Sequence, residues 1–428
     1  MRAVVVTTGT QGDVAPYTGV GARLQAEGWE VTFVTHKTFG DQLRGCGFDF
    51  SALPGDPHAL VSSNAFQTWE RSEYSLAAAA AQLRRIRSII RDVGDLMDQV
   101  ADGLIDAIPD DTDVLLLSGT AAPLAYHFAE AKRIPSMGIY WGPTEPTGQF
   151  PPPMGGARSM GWWGNKIAGH VGLRITYAAY GNAVHRLRSR LGVPPAGFSD
   201  ARRRQAARRW PVLHGFSPTV FPRPKDWREG MDVVGYWWAQ RSKEWKPPAE
   251  LLDFLQAGPA PVFIGLGSMA PGEADRLADL AVTALRQACM RGVIQAGWAD
   301  LSARSDDVLT VGPTPHDWLF PRMSAVVHHA GAGTTGAALR AGVPSVPVPV
   351  TIDQPFWAER IVALGVAPEA IPFCSLTADR LASALRTAVD GPEYQRNAHR
   401  IAELVEAEDG AGRVATAVDQ LVARERQS

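Results

Sequence analysis

Cysteine is scarce in this chain. Three thiols in 428 residues, Cys46, Cys289 and Cys374, lie too far apart to build a disulfide framework or the paired spacing of a metal site. They read as reduced thiols in or near the core. An excess of either charge is lacking too: 42 Lys and Arg against 44 Asp and Glu leave a formal net charge of −2, so no global basic field favours nucleic acid. Long hydrophobic runs are missing. No stretch approaches the ~20 apolar residues that a spanning helix needs, and the apolar run inside Met1–Thr8 is too short for a signal peptide. The expectation is a cytoplasmic protein without a membrane span, with peripheral membrane contact left open. A hydrophobic content of 45% and a charged content of 20% fit a globular chain, and the length suffices for two domains of ordinary size.

What is present is an alternation of short apolar runs and helical runs. A continuous β-branched run at Arg2–Thr8 predicts a buried parallel strand, and further strands are predicted at Val31–Thr35, Val114–Leu117, Ser136–Tyr140 and Pro211–His214. A helix is predicted over Pro16–Gln25, stopped by Gly28, and a long one over Leu76–Ile108. The Gly-, Pro- and Trp-rich segment Trp141–Gly172 is a poor candidate for regular structure. A second strand series is predicted at Pro261–Gly265, Val293–Gln295, Val308–Val311, Ala325–His328 and Ser345–Pro349. The class is α/β, with one domain over 1–216, a Pro- and Trp-rich linker over 217–245, a second domain over 246–410 and a final helical segment over 411–428.

The stretch from Val326 to Gln354 is the most informative. It begins Val-Val-His-His-Ala-Gly-Ala-Gly-Thr-Thr-Gly, passes through a helix-compatible run and a strand, and ends Thr-Ile-Asp-Gln. A helix N-terminus offers unpaired backbone N–H groups and the positive end of its dipole. Gly331 and Gly333 let a diphosphate approach the backbone, because no Cβ stands in the way. Thr334 and Thr335 add hydroxyl donors. His329 can donate to a phosphate oxygen and offset charge on a departing nucleotide. Asp353 accepts from hydroxyls and Gln354 both donates and accepts, which suits a polyol. In an open α/β sheet, ligands bind beyond the carboxyl ends of the strands, where both groups fall. A diphosphate cradle followed by a sugar clamp implies a nucleotide-sugar.

Other residues leave alternatives open. Asp13 lies in the turn Gly9-Thr10-Gln11-Gly12-Asp13 after the first strand. It reads as a helix cap or as a general base whose ordinary pKa of about 3.9 burial would raise usefully. Gly265-Leu266-Gly267-Ser268 could bring Ser268 to a phosphate, and a plain strand-to-helix turn would read the same. Trp298 could stack on a base or fill a core. Among Phe66, Trp69, Tyr74, Trp141, Trp162 and Trp163, which could line an apolar acceptor site, Phe66, Trp69 and Trp141 are taken as acceptor contacts. Asp111-Thr112-Asp113 has Asp-x-Asp spacing but sits in an Asp/Pro-rich turn, so a structural role is expected. Arg202, Arg203, Arg204, Arg208 and Arg209 read as a solvated helix face in preference to a membrane patch. His328 reads as structural.

The Val326–Gln354 segment resembles the donor signature of nucleotide-sugar-dependent glycosyltransferases of GT-B architecture. Pro315-His316-Asp317-Trp318-Leu319-Phe320-Pro321 and Asp353-Gln354-Pro355-Phe356-Trp357 resemble the sterol glucosyltransferase branch, which is close to bacterial enzymes that glycosylate antibiotics. Gly9–Val14, Pro16-Tyr17, Phe150-Pro151, Leu191–Pro195 and Gly235-Tyr236-Trp237 extend the resemblance over nearly the whole chain. It implies two Rossmann-like domains facing across a cleft, the first for the acceptor and the second for the donor, with the final helix crossing back to the first. It implies Asp13 as the base, where many relatives have a His. Gly12, Ser268, Trp298, Thr314, His316, His329, Gly331, Gly333, Thr334, Thr335, Asp353 and Gln354 are then the donor contacts.

The implied reaction is an inverting transfer of a hexose from a UDP- or dTDP-sugar to a hydroxyl of a lipophilic or natural-product acceptor. The nucleotide-sugar is a substrate, and neither a cofactor nor a metal is expected. A nucleotide-sugar epimerase or hydrolase on the same architecture, and a non-catalytic auxiliary partner of another glycosyltransferase, are the alternatives. A Rossmann dehydrogenase is disfavoured, because the front loop lacks Gly-x-Gly-x-x-Gly. The residues do not choose among a sterol or triterpenoid, a polyketide, a glycopeptide and an aminocyclitol acceptor, nor between UDP and dTDP.

Overall fold

Two all-parallel sheets organise the chain. Its computed structural model describes residues 1–57, 76–156, 158–241, 244–266, 274–295, 307–350 and 352–427. The expected site residues Phe66, Trp69, Ser268 and Trp298, and the aromatic Tyr74, lie outside the described residues. The first sheet comprises β1 (Arg2–Val6), β2 (Glu30–His36), β3 (Asp49–Leu53), β4 (Val114–Ser118), β5 (Ser136–Tyr140), β6 (Val212–His214) and β7 (Met231–Val233), in the order β3-β2-β1-β4-β5-β6-β7. The second comprises β8 (Val262–Gly265), β9 (Gly292–Gln295), β10 (Val308–Val311), β11 (Ala325–His328) and β12 (Ser345–Pro347), in the order β10-β9-β8-β11-β12. Each order starts mid-sheet, runs outward and then reverses. That is the doubly wound Rossmann-like pattern, and the reversal leaves a crevice beyond the carboxyl ends of the two central strands. The crevice lies at β1/β4 in the first sheet, where Val6 pairs with Leu117. It lies at β8/β11 in the second, where Gly265 pairs with His328.

The strands form where continuous aliphatic runs can be buried on both faces. In the second sheet Val262, Ile264, Ala325 and Val327 face one core cluster, whereas Phe263 and Val326 face another. The period-2 alternation of a strand thus serves two apolar layers. The first sheet's core draws on Ala3 and Val5, on Val14, Tyr17 and Val20 of α1 (Gln11–Ala26), and on Val414, Val418 and Val422 of the C-terminal helix.

The chain divides into two compact units. Unit 1 holds Met1–Pro152, Ser159–Lys243 and Glu408–Ser428; unit 2 holds Pro153–Arg158 and Glu244–Ala407. Four features differ from the sequence expectation. Residues 217–243, read as linker, belong to unit 1 and supply its edge strand β7. Only three residues long, that strand gives no periodic signal, and the half-exposed edge strand β3 (Asp-Phe-Ser-Ala-Leu) escaped for a similar reason. Helix α1 starts at Gln11 rather than Pro16, because Thr10 and Asp13 cap it further upstream. Within Trp141–Gly172, read as irregular, α2 (Gly161–Ala178) begins. Its inner face is small and polar: Gly169 packs against Pro146, where a Cβ would come within 3.0 Å, and Asn165 donates to the Gly148 carbonyl. Its apolar side chains Trp162, Trp163, Ile167, Val171 and Ile175 point outward and are exposed.

Candidate active site

The switch point of unit 1 is built from the loops that leave β1, β4 and β5. Gly9 turns the chain after β1 with φ +118°, and a Cβ there would lie 2.4 Å from Asp13 Oδ2, so only glycine fits. Thr10 caps α1, and Asp13 is the third helical residue. The Thr10 backbone N–H donates to Asp13 Oδ2 at 2.8 Å, and the Thr10 hydroxyl donates to the same oxygen at 3.1 Å. On the other carboxyl oxygen, Oδ1, the Trp141 indole N–H donates at 3.1 Å from the end of β5. Thr120, after β4, ties the loops together by donating its hydroxyl to the Thr8 carbonyl at 2.7 Å. Asp13 is half-buried. Burial raises its pKa above the ordinary value, while each of the three hydrogen bonds favours the carboxylate and pulls the other way. Asp13 therefore is a helix cap, as one reading of the residues had it, and it is also an aspartate of raised basicity at a crevice. Trp141, expected against an acceptor, has its indole N–H on Asp13.

The switch point of unit 2 is built from the ends of β11 and β12. His328 closes β11 fully buried, and its Nδ1 accepts from the Ala330 backbone N–H at 3.1 Å, which is a structural role. Ala330 takes φ +62°, rare for a residue with a Cβ. Helix α4 (Ala332–Ala341) then starts from Gly331 as its cap. The His329 ring lies against that cap: a Cβ on Gly331 would meet His329 Nε2 at 2.5 Å. Its other nitrogen, Nδ1, is buried without a hydrogen-bond partner among the described residues, as is the Thr335 hydroxyl one turn into the helix. Gly333 is exposed in the first turn, and beyond its own helix turn none of the described residues comes within 4 Å of where its Cβ would stand. Burial holds the His329 pKa down to about 4, so at neutral pH the imidazole is uncharged and works as a hydrogen-bonding group. Backbone N–H groups at a helix start, two unpartnered buried donors and an uncovered glycine together suit an anion such as a diphosphate.

Asp353 and Gln354 follow β12 on a second strained turn, where Ile352 has φ +59°, a conformation that β-branched side chains resist. Asp353 caps α5 (Gln354–Ala363), and its Oδ2 accepts from the Trp357 indole N–H at 2.8 Å. The Gln354 side-chain carbonyl accepts from the Val350 backbone N–H at 2.8 Å. Both side chains are thus fixed by their own turn. Thr314 donates its hydroxyl to the Gly312 carbonyl at 3.0 Å. The His316 ring stacks on Phe320 at 4.3 Å and meets Gln295 Oε1 at 3.4 Å; burial lowers its pKa to about 4, with His329 nearby adding to the effect. Gly12 is exposed in the first turn of α1.

Two sequence features resolve elsewhere. Asp111 and Asp113 are engaged by Arg2, the former through its guanidinium and the latter through its backbone N–H. The arginine cluster on α3 (Phe198–Ala207) and just beyond divides: Arg203, Arg208 and Arg209 are exposed, as a solvated face implies, whereas Arg202 and Arg204 turn toward carboxylates of unit 1. Arg202 forms a bidentate pair with buried Glu145, Arg204 pairs with Glu130, Arg203 with Asp200 and Arg209 with Glu229. Glu145 and Glu130 come from distant segments, so charge runs alone could not reveal them, whereas Asp200 sits one turn away on the same helix. Among the described residues, no helix is long and apolar enough to cross a membrane.

Comparison with known proteins fits this geometry. Residues 3–97 match the glycosyltransferase family 28 N-terminal domain, and residues 293–421 match the erythromycin biosynthesis protein CIII-like C-terminal domain. The chain is 34% identical over 426 residues to O-mycaminosyltylonolide 6-deoxyallosyltransferase of Streptomyces fradiae, covering 98% of this chain and 97% of that one. It is 32% identical over 424 residues to a sterol 3-beta-glucosyltransferase of Arabidopsis thaliana, covering 96% of this chain but 64% of the plant protein's length. Among solved structures, the glycotransferase of kitacinnamycin superposes with a TM-score of 0.71 at 20% identity, covering 98% of this chain and 99% of that one. Glycosyltransferase VinC in complex with dTDP superposes with a TM-score of 0.67 at 18% identity, covering 99% and 100%. At those identities the structures establish the fold.

Proposed function

The chain belongs to the GT-B glycosyltransferases, in the group that joins sterol glucosyltransferases to antibiotic glycosyltransferases, and from that premise we propose that it moves a hexose from a UDP- or dTDP-sugar to a hydroxyl of a lipophilic or natural-product acceptor, inverting the anomeric centre. The observation that carries the reading is the placement of Asp13 at one switch point and His329 at the other.

In this reading Asp13 takes the proton of the acceptor hydroxyl as that oxygen attacks the anomeric carbon. Its raised pKa makes it a better base than an ordinary aspartate, and the Thr10 and Trp141 hydrogen bonds keep it aimed. The bond from the anomeric carbon to the diphosphate breaks on the opposite face, so an α-linked donor gives a β-glycoside. The leaving diphosphate accepts from the first-turn N–H groups of α4, from the neutral His329 ring and from the Thr334 and Thr335 hydroxyls. With those donors in place, the reaction requires no metal. Asp353 and Gln354 bind sugar hydroxyls. Gly12, Ser268, Trp298, Thr314 and His316 complete the donor contacts, the last three around the nucleotide base, and Phe66 and Trp69 contact the acceptor.

The test is to incubate the enzyme with UDP-glucose or a dTDP-hexose and a panel of sterols and macrolide aglycones, and to read the anomeric coupling of any product by NMR. A β-glycoside from an α-linked donor is expected. An α-glycoside would overturn the inverting mechanism. Consumption of the donor without glycoside in every acceptor reaction would favour hydrolysis or epimerisation.

A further inference from the structure

The Asp13 carboxylate has about four lone-pair positions, two on each oxygen. Among the described residues three are occupied: both on Oδ2, by the Thr10 N–H and hydroxyl, and one on Oδ1, by the Trp141 indole. The remaining position is on Oδ1. Resting on the reading of Asp13 as the base, we propose that Trp141 is a positioning residue that holds the Asp13 carboxylate so that Oδ1 receives the acceptor's proton.

Trp141 is suited to the task. It directly follows β5, which pairs with β4, which in turn pairs with β1, so its backbone is fixed by the same sheet that carries the Asp13 loop. Its indole is a donor only, so it cannot compete for the proton that Asp13 must take. Gly9 on the far side lets the carboxylate lie close against the loop, since even a methyl group there would collide with Asp13 Oδ2. The carboxylate is therefore gripped at both oxygens: one grip comes from its own helix cap, the other from a strand 128 residues further along the chain.

The test compares Trp141→Phe, which keeps an aromatic ring and removes the N–H, with Asp13→Asn, in full-length protein whose folding is checked by thermal melting. A hydrogen bond donated to a carboxylate stabilises its ionised form. Its loss should move the acid limb of the kcat/KM–pH profile up by about one pH unit, roughly a tenfold loss on the acid side that recovers at higher pH. The acceptor KM should change little. Trp141→Gln, which returns a donor N–H, should restore the limb toward its wild-type position, and Trp141→Leu, which also removes the N–H, takes the place of Trp141→Phe if that variant does not fold. An inactive Asp13→Asn together with an unmoved limb in Trp141→Phe, or a loss equal at every pH, overturns the positioning role and leaves the base intact. An active Asp13→Asn overturns the base reading itself, and the proposal with it.

Discussion

At the switch point of unit 1 the carboxylate is satisfied by donors of its own chain; at that of unit 2 two buried groups are left without a partner among the described residues. Asp13 receives three hydrogen bonds from within the protein, whereas His329 Nδ1 and the Thr335 hydroxyl have none from the described residues. The same doubly wound topology places both sites beyond the carboxyl ends of central strands. On the proposed function the difference is one of task. A carboxylate that must take a proton from a particular direction has to be held still, and donors from its own chain do that. A site for an anion has to keep its donors uncommitted, because a donor already engaged would have to break a bond to bind. Strain follows the second pattern. Ala330 and Ile352, both with positive φ, introduce the two candidate donor-binding turns of unit 2, while the turn before Asp13 uses a glycine.

The largest expected effect breaks the unit 1 side alone. Asp13→Asn should lower kcat by about 10²–10⁴-fold while leaving nucleotide binding unchanged, as measured by initial rates and calorimetry on the same preparation. His329→Ala breaks the other side. Loss of one donor to the leaving diphosphate should lower kcat by about 10²–10³-fold and, unlike Asp13→Asn, also weaken UDP or dTDP binding.

Gly333→Ala sharpens the contrast between folding and binding. The protein has room for the methyl group, and alanine suits a helix better, so the melting temperature should hold or rise by an amount worth up to about 1 kcal/mol. The same methyl group would stand where the diphosphate approaches, so nucleotide affinity should fall. A variant that loses stability and keeps affinity would place the phosphate elsewhere. The smallest effect is acid sensitivity. His316, His328 and His329 have folded pKa values of about 4, 3 and 4, below the ordinary 6.5. Between these values the unfolded chain holds more protons than the folded one, so stability rises with pH across the window. Their contribution is full above pH 6.5 and is lost as pH falls toward 4. His329→Gln should flatten the decline of melting temperature over that range.

Much of this was legible in the sequence. The Val326–Gln354 run announced its strand, its helix start and its two polar ends because each depends on local rules: β-branched runs, small residues at a helix N-terminus, polar residues after a strand. The core strands were equally readable. What escaped was set by distant partners. Trp141 gave no sign that its N–H would reach Asp13, because the contact is made by sheet order. Arg202 and Arg204 of α3 looked solvated because Glu145 and Glu130 come to them from other segments. Helix α2 looked irregular because it is rich in glycine, yet Gly169 serves close packing against Pro146 rather than a turn.

The central claim is that donor binding belongs to the unit 2 switch point and proton transfer to that of unit 1. Titration calorimetry of UDP and dTDP against wild type, Asp13→Asn and His329→Ala tests it most directly. One of the two nucleotides should bind wild type and Asp13→Asn with equal affinity and His329→Ala at least about tenfold more weakly. Equal binding to wild type and His329→Ala, or binding lost in Asp13→Asn, would contradict the account.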